Sequence, residues 1–177
     1  MTTDDTLTFS IRTALGDITI AIYPHRAPGT CANFLKYVDA RLFEGGGFHR
    51  TVRLDEDQYP NNAVSIEVIQ AGVNPARESE KFEAIALERT TLTGLRHTDG
   101  AVSMARFLPD SATADFFICI GDQPELDFGG RRNADGQGFA AFGRLLSFWL
   151  VLQQIQSSPA SGQSLTPPVS ITRARRL

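Results

Sequence analysis

The sequence predicts one mainly β domain, either a barrel or a sandwich, with helices at its ends. Short segments of alternating apolar and polar residues recur along the 177-residue chain, and such alternation is typical of strands with one buried face. Only two segments repeat their apolar residues with the period of a helix. Many short strands with two helices in one domain favour a barrel or a sandwich.

The chain opens with a predicted pair of antiparallel strands. Apolar residues take every second position over residues 7–12 and again over residues 17–23, which predicts two strands that each bury one face. Gly16 and Asp17 between them favour a turn. These two segments therefore predict a hairpin with a slightly wide connection.

A helix is predicted next, within residues 24–43. Its apolar residues recur at spacings of three and four, which places them on one helix face: Cys31, Phe34, Leu35 and Val38. Pro28 suits the first turn of this helix, where a missing N–H is harmless. Three glycines at 45–47 end the segment.

Strands and loops follow, with one more helix. The predicted strands cover residues 48–54, 63–72, 101–106, 115–121, 139–145 and 169–174, with a short strand near 84–87. The second helix is predicted over residues 145–156, and the Pro- and Ser-rich stretch 157–168 is expected to break it. Residues 54–62 predict a polar loop, 73–100 mainly loop, and 127–138 a glycine-rich loop.

Charge and composition argue against several classes of partner. The formal net charge is −3, so no basic surplus favours nucleic-acid binding, and the terminal TRARRL is expected to be a solvated tail. No apolar run approaches about 18 residues, so no membrane span is expected. The acidic N-terminus resembles no signal peptide.

We expect a cytoplasmic monomer with a flexible N-terminus at 1–6 and a single domain at 7–177.

The chain lacks the usual motifs of covalent or metal chemistry. Cys31 and Cys119 match no zinc spacing and lie in apolar segments, so both are interpreted as small buried residues and no metal is expected. No nucleophile elbow, zinc-protease motif or phosphate-binding P-loop occurs. A thiol pair of Cys31 with His49 stays open as a remote hydrolase hypothesis.

Five segments together resemble one family, the cyclophilins, which are peptidyl-prolyl cis-trans isomerases. They are FHR at 48–50, VIQAG at 68–72, VSMAR at 102–106, DFFICIGDQPELD at 115–127 and FAAFG at 139–143. The lead-in at 15–34 is also similar to the N-terminal hairpin and helix of that family. The resemblance implies a closed eight-stranded antiparallel β-barrel capped by two α-helices, with the substrate groove on its outer wall.

The resemblance also implies roles for eight residues, and it implies no cofactor. Arg50 would be catalytic, and the proline of a polypeptide substrate would sit in an apolar pocket. The pocket would be lined by Val68, Phe117, Leu126 and Phe139, Gln70 would bind the substrate backbone, and Ala105 with Arg106 would form the groove edge. Without the family pattern, the apolar residues would be assigned to the core, Gln70 to barrel hydrogen bonding and Arg106 to the surface.

Proline isomerisation explains why nucleophiles are missing. Rotation about an Xaa-Pro bond faces a barrier of about 18–20 kcal/mol from amide resonance, yet no bond is broken. A guanidinium that donates to the prolyl nitrogen or the neighbouring carbonyl favours the twisted amide. Residues 116–120, FFICI, are apolar on both faces of the predicted strand. Phe117 can therefore form the floor of an external pocket rather than part of the core.

Several residues depart from the family pattern. Glu67 stands where a pocket phenylalanine is common, Ala71 where glycine is common, and Arg106 and Asp115 replace amides. Glu125 replaces a tryptophan important for cyclosporin in many members, so weak cyclosporin binding is expected. These residues predict a more charged groove, and an Arg106–Asp115 pair would narrow it.

The charged departures leave a second function open. A cyclophilin-like module that binds proline-containing segments with little turnover is the alternative to an enzyme. The apolar stretch from Phe148 to Leu150 suggests either a partner surface or tight packing against the C-terminal segment. The complete set of Arg50, Gln70 and Phe117 favours the isomerase.

Overall fold

This computed structural model describes residues 5–54, 64–147 and 149–177. They contain nine β-strands and three α-helices. The strands are β1 (Leu7–Thr13), β2 (Gly16–Ile22), β3 (Gly47–Val52), β4 (Val68–Gly72), β5 (Ala101–Met104), β6 (Phe116–Cys119), β7 (Ala141–Ser147), β8 (Ala160–Ser161) and β9 (Ser164–Arg176). The helices are α1 (Pro28–Asp39), α2 (Thr90–Thr93) and α3 (Trp149–Gln156). Two 3₁₀ turns span Pro75–Glu80 and Pro124–Leu126.

Eight of the strands close into a barrel. They pair in the order β1, β2, β7, β5, β6, β4, β3, β9, and β9 returns to pair with β1. Every pair is antiparallel, and β8 adds only a two-residue arm to the start of β9. The predicted closed eight-stranded antiparallel barrel is confirmed. Closure leaves these eight strands without an open edge that could pair with another chain.

The barrel interior is an apolar core that the helices help to fill. Phe34 of α1 lies at its centre, with four phenylalanine rings at centroid distances of 5.4 to 5.7 Å: Phe9, Phe43, Phe116 and Phe142. Leu152 and Ile155 of α3 belong to the same buried cluster. The apolar stripe predicted for α1 is therefore the face that covers the barrel.

Strand β6 is apolar on both faces because it separates two apolar clusters. Phe116 and Ile118 belong to the interior core, whereas Phe117 and Cys119 belong to a smaller cluster on the outer wall. Val68 of β4 belongs to that outer cluster. The expectation that Phe117 lies outside the main core is confirmed, and the barrel wall has a second apolar surface on its outside.

A β-bulge in β3 places Phe48 and Arg50 on opposite sides of the barrel wall. Phe48 pairs with Ala71 and Arg50 pairs with Gln70, so β3 has one more residue than β4 at His49. Residues 48 and 50 would share one face of a regular strand. With the bulge, Phe48 lies fully buried in the interior core while Arg50 lies on the outer wall. Bulges commonly redirect side chains in this way next to functional sites.

Some predicted boundaries are wrong in the middle of the chain. Strand β4 begins at Val68 rather than at residue 63, and the strand expected near 84–87 is only a single bridge between Ile85 and Ala112. Strand β7 starts at Ala141 and runs to Ser147, through the predicted start of the second helix. Tertiary pairing with β2 overrides the helical apolar pattern there.

The C-terminal third departs most from the prediction. The stretch 157–168 does not simply break a helix, because it contains the β8–β9 hairpin. Within the described strand pairs, Pro167 and Pro168 lie between paired segments of β9, where no ladder N–H is needed. The terminal TRARRL is not a solvated tail, since β9 pairs with β1 and the Leu177 N–H donates to the Thr8 carbonyl.

Three expectations fall wholly or partly outside the described residues. The flexible N-terminus predicted at 1–6 falls mostly on residues 1–4, the polar loop predicted at 54–62 falls on 55–62 apart from its first residue, and Phe148 is not described. The neighbouring Leu150 is 67% exposed, which does not fit tight packing of its side chain. Among the described residues, no helix combines the length and apolar character that crossing a membrane requires.

We predict that Phe34→Ala destabilises the protein strongly. The substitution removes a ring enclosed by four others, and such changes cost about 3–5 kcal/mol of unfolding free energy. Urea denaturation followed by circular dichroism measures the loss. Leu92→Ala is the matched control, because Leu92 is 78% exposed and its truncation should change stability by less than about 0.5 kcal/mol. Equal effects of the two substitutions would contradict the assigned core.

Candidate active site

A row of side chains crosses five strands on the outer wall of the barrel. Ser103 of β5 is paired with Phe117 of β6, Phe117 with Gln70 of β4, Gln70 with Arg50 of β3, and Arg50 with Ser164 of β9. Directly paired residues on one face have Cβ atoms about 4.5–5.5 Å apart. The sheet register therefore places Arg50, Gln70 and Phe117 next to one another.

A cavity of about 550 Å³ lies over this row. Its lining includes all eight of the residues to which the sequence assigns a site role: Arg50, Val68, Gln70, Ala105, Arg106, Phe117, Leu126 and Phe139. The same lining contains Ile66, Lys81 and Asp115. Residues that are up to 89 positions apart in the sequence thus meet in one concave surface, of a size typical of ligand sites.

Arg50 is held by two glutamine side chains. Its Nε donates to Oε1 of Gln163 at 2.8 Å, and its Nη1 donates to Oε1 of Gln70 at 2.9 Å. These two acceptors are neutral amide oxygens, so the bonds orient the planar guanidinium without cancelling its charge. Gln163 comes from the β8–β9 hairpin, which sequence analysis missed because the surrounding prolines and serines suggested a loop.

Asp115 fixes the orientation of Gln70. Its Oδ2 accepts from Nε2 of Gln70 at 3.0 Å and lies 3.0 Å from Nε2 of His49, and Lys81 Nζ lies 3.9 Å from Oδ1. Because the amide nitrogen of Gln70 faces this carboxylate, its oxygen faces Arg50. Burial favours a higher pKa for Asp115, but the hydrogen bonds from His49 and Gln70 and the nearby positive charges outweigh it and lower the pKa below its ordinary value.

Arg106 has a different partner from the one expected. Its guanidinium makes a two-pronged pair with Asp135 at 2.8 and 2.9 Å and donates from Nε to the Gly138 carbonyl at 2.8 Å. It also lies over the Phe139 ring, 5.2 Å from the centroid. The predicted Arg106–Asp115 pair is wrong because the glycine-rich loop folds back and presents Asp135. A solvated surface role is also wrong, since the Arg106 side chain is 1% exposed.

The floor of the cavity is a stack of rings. Phe117 meets Phe139 edge to face at 5.4 Å, and His97 lies parallel to Phe117 at 6.0 Å. The buried His97 is fixed by Asp127, 2.7 Å from its Nδ1, and by Ser103, 2.9 Å from its Nε2. Sequence analysis missed His97, because no local pattern links it to Phe117. The stack holds the apolar floor in one position.

The cysteines do not form a hydrolytic site. Cys31 lies in the interior core beside the Phe142 carbonyl, and burial raises its pKa to about 12. Its thiol is therefore protonated at neutral pH and is not a nucleophile. The Cys31–His49 hypothesis is wrong, since Cys31 lies in the interior core whereas His49 contacts Asp115, which lines the cavity on the outer wall. Within the described ranges, no cluster of three or more acidic, histidine or cysteine side chains is arranged to hold a metal ion.

Comparison with known families agrees with this architecture. The sequence model of the family described as cyclophilin type peptidyl-prolyl cis-trans isomerase/CLD matches residues 8–176. The chain belongs to the cyclophilin family. This cyclophilin is accordingly a peptidyl-prolyl cis-trans isomerase, an enzyme that acts on proline-containing peptides.

Relatives from several organisms resemble this cyclophilin. It is 34% identical over 152 residues to the peptidyl-prolyl cis-trans isomerase of Acinetobacter baylyi, covering 85% of this chain and 72% of the relative. It is 31% identical over 150 residues to peptidyl-prolyl cis-trans isomerase B of Escherichia coli, covering 84% and 83%. A crystal structure of a Cryptosporidium parvum cyclophilin type isomerase has the same fold, with a TM-score of 0.76, 19% identity and coverage of 97% and 98%.

Two of the acidic departures in this cyclophilin lie away from the cavity lining. Glu67 accepts from Nε2 of Gln156 at 3.3 Å, on the side of helix α3, and Ile66 lines the cavity instead. Glu125 pairs with Arg131 at 2.8 Å and lines a neighbouring cavity of about 330 Å³. Of the four charged departures, only Asp115 and Arg106 line the main cavity, so the groove is less altered than the substitutions suggest.

We predict that the contribution of Asp115 to stability depends on pH. Its pKa is lower in the folded protein than in the unfolded chain, so the carboxylate stabilises the fold above about pH 4 and loses this effect as the pH falls through the lowered value. Asp115→Asn should lower the unfolding free energy at pH 7 by about 1–2 kcal/mol, and by less at pH 3. Urea denaturation at both pH values measures the difference.

The control for this prediction is Glu83→Gln, because Glu83 is exposed. Its effect on stability should be small at both pH values. An Asp115→Asn effect that does not change between pH 7 and pH 3 would show that the carboxylate is not stabilised by its neighbours.

Proposed function

We propose that the cavity on the outer wall is the isomerase site and that Arg50 is its catalytic residue. The observation that supports this most directly is the position of Arg50, held at 2.8 and 2.9 Å by two neutral amides at the edge of an apolar floor. A fixed cation beside a proline-sized apolar surface is what catalysis of amide rotation requires.

Arg50 acts on the twisted state of the substrate in this proposal. As the Xaa-Pro bond rotates, the prolyl nitrogen loses conjugation and regains a lone pair, which accepts a hydrogen bond from the guanidinium. The planar amide has no such lone pair, so the interaction is stronger in the transition state than in the ground state. An acceleration of ~10⁵-fold needs about 7 kcal/mol of such differential binding.

The apolar residues hold the proline ring while the preceding carbonyl turns. Phe117 forms the floor, Phe139 stands edge-on to it, and Val68 and Leu126 complete the outer cluster. Because His97 stacks on Phe117, the floor does not yield when the substrate twists. Fixed apolar walls bury the proline ring and keep it in place while the preceding carbonyl group rotates.

Gln70 has a double role in the proposal. One Nε2 hydrogen is used by Asp115 and one Oε1 lone pair by Arg50. An amide has a second hydrogen and a second lone pair, which suit the backbone of an extended substrate. Ala105 and Arg106, which also line the cavity, would form the edge along which a peptide chain lies.

The binding module with little turnover loses much of its motivation. Glu67 is bound to Gln156 outside the cavity lining, and the charge of Arg106 is balanced by Asp135. The third of these residues, Asp115, does line the cavity, and it orients Gln70 toward Arg50. The arrangement favours turnover over passive binding.

We also propose that this cyclophilin assists the folding of proline-containing polypeptides. Xaa-Pro isomerisation takes tens to hundreds of seconds without a catalyst and limits the folding of many chains. An accessible cavity on the barrel wall suits an unfolded or flexible segment. The cytoplasmic location and the monomeric state stay predictions from the sequence.

We predict that Arg50→Ala abolishes most of the catalysis. The loss of the charged donor should lower kcat/KM by roughly 10²- to 10³-fold, with Arg50→Lys in between because an ammonium lacks the rigid fork. Exchange NMR on an Ala-Pro peptide measures the rate. Arg173→Ala, an exposed arginine on β9, is the control and should retain full activity. Wild-type exchange rates in Arg50→Ala would refute the role of Arg50.

We predict weak binding of cyclosporin. Glu125 is a charged residue, paired with Arg131, where many cyclosporin-binding members have tryptophan, so the ring surface that would contact the drug is missing. Glu125→Trp should tighten binding by about tenfold or more. Isothermal titration calorimetry tests both proteins. A nanomolar dissociation constant for the wild type would contradict the prediction.

A further inference from the structure

Gln163 lies at the tip of the β8–β9 hairpin and reaches the outer wall of the barrel. The hairpin pairs Ser161 with Ser164, so Gly162 and Gln163 form its two-residue loop. Gln163 is 6% exposed, although loop tips are usually solvated. Its buried amide oxygen accepts from Nε of Arg50 at 2.8 Å. A buried amide is stable only when such bonds compensate its lost hydration.

We propose that Gln163 is a positioning residue for the isomerase, which holds the guanidinium of Arg50 in a fixed plane through a neutral acceptor. The proposal rests on the catalytic role of Arg50 proposed above. Gln163 binds Nε and Gln70 binds Nη1. Two anchors on different nitrogens restrict rotation of the planar group.

The backbone, rather than the Gln163 side chain, docks the hairpin onto the barrel. The Thr51 N–H donates to the Gln163 carbonyl at 2.9 Å, which joins the hairpin to β3, and the 2.9 Å bond from the Thr166 N–H to the Pro159 carbonyl holds the two arms of the hairpin together. Strand pairing of Arg50 with Ser164 adds to this docking. Replacement of the side chain alone therefore leaves the hairpin attached, which separates a positioning role from a structural one.

The choice of an amide over a carboxylate matters for the reaction. Arg106 shows the alternative within the same cavity, because its guanidinium is bound in a two-pronged pair by the Asp135 carboxylate. A carboxylate on Arg50 would compete with the prolyl nitrogen for the guanidinium and lower its positive potential. A neutral amide supplies the same acceptor geometry without that competition.

Two substitutions test the proposal through kcat rather than KM. Gln163→Ala removes the anchor on Nε of the guanidinium, and misplacement of a catalytic group lowers rates by roughly ten- to hundredfold, so we expect this fall in kcat with KM within about twofold of wild type. Gln163→Glu keeps the length and the acceptor oxygen but adds a charge. Its kcat should be low at pH 7 and should rise relative to wild type as the pH falls below about 4, where the new carboxyl becomes protonated.

The experiment uses the full chain and exchange NMR on an Ala-Pro peptide, across the pH range in which circular dichroism shows each variant folded. Ser161→Glu is the matched control, because it adds the same charge to an exposed position of the same hairpin and should retain wild-type kcat at every pH. The double variant Arg50→Ala with Gln163→Glu should be no slower than Arg50→Ala alone, since Gln163 acts only through Arg50.

Distinct outcomes overturn the inference and the function on which it rests. Wild-type kcat in Gln163→Ala, or a Gln163→Glu profile that matches Ser161→Glu, would overturn the role of Gln163 alone. A parallel loss of melting temperature and activity in both Gln163 variants, with no pH recovery in Gln163→Glu, would show a structural role instead. Full activity in Arg50→Ala would overturn the proposed function itself.

Discussion

The whole candidate site depends on one extra residue in strand β3. The bulge at His49 lets Phe48 fill the barrel interior while Arg50, two positions later, lies on the outer wall. In a regular strand the two side chains would share a face, so either a charge would enter the aromatic core or a phenyl ring would leave it. The row from Ser103 to Ser164 exists only because this shift brings Arg50 level with Gln70.

Arg50 and Arg106, two of the arginines in the cavity lining, show how acceptor chemistry separates their roles. Arg106 is bound by a carboxylate, a carbonyl and a ring face, so it acts as a rigid part of the wall. The two amides on Arg50 orient its guanidinium and leave the charge uncancelled by these bonds. Asp115 supports the second arrangement through Gln70, because its carboxylate accepts from Gln70 Nε2 and so turns the amide oxygen of Gln70 toward Arg50.

Alternation and helical period were sufficient to predict the early strands, helix α1 and the two-sided strand β6, because burial there follows the sequence period directly. The order of the family motifs was needed to group Arg50, Gln70 and Phe117, which the register brings together. The Arg106–Asp135 pair and the contact of Gln163 with Arg50 could not be predicted. Both depend on how loops fold back onto the barrel, and such contacts leave no periodic signal.

Closure of the barrel by β9 has a consequence for the order of assembly. This last strand pairs with both β1 and β3, and its hairpin supplies the contact with Arg50. During synthesis about the first nine-tenths of the 177 residues is therefore made while the barrel is still open and Arg50 lacks its contact with Gln163. These pairings join opposite ends of the sequence, and such contacts form late because long loops must close first. Arg50 therefore has its contacts with both Gln70 and Gln163 only once β9 has closed the barrel.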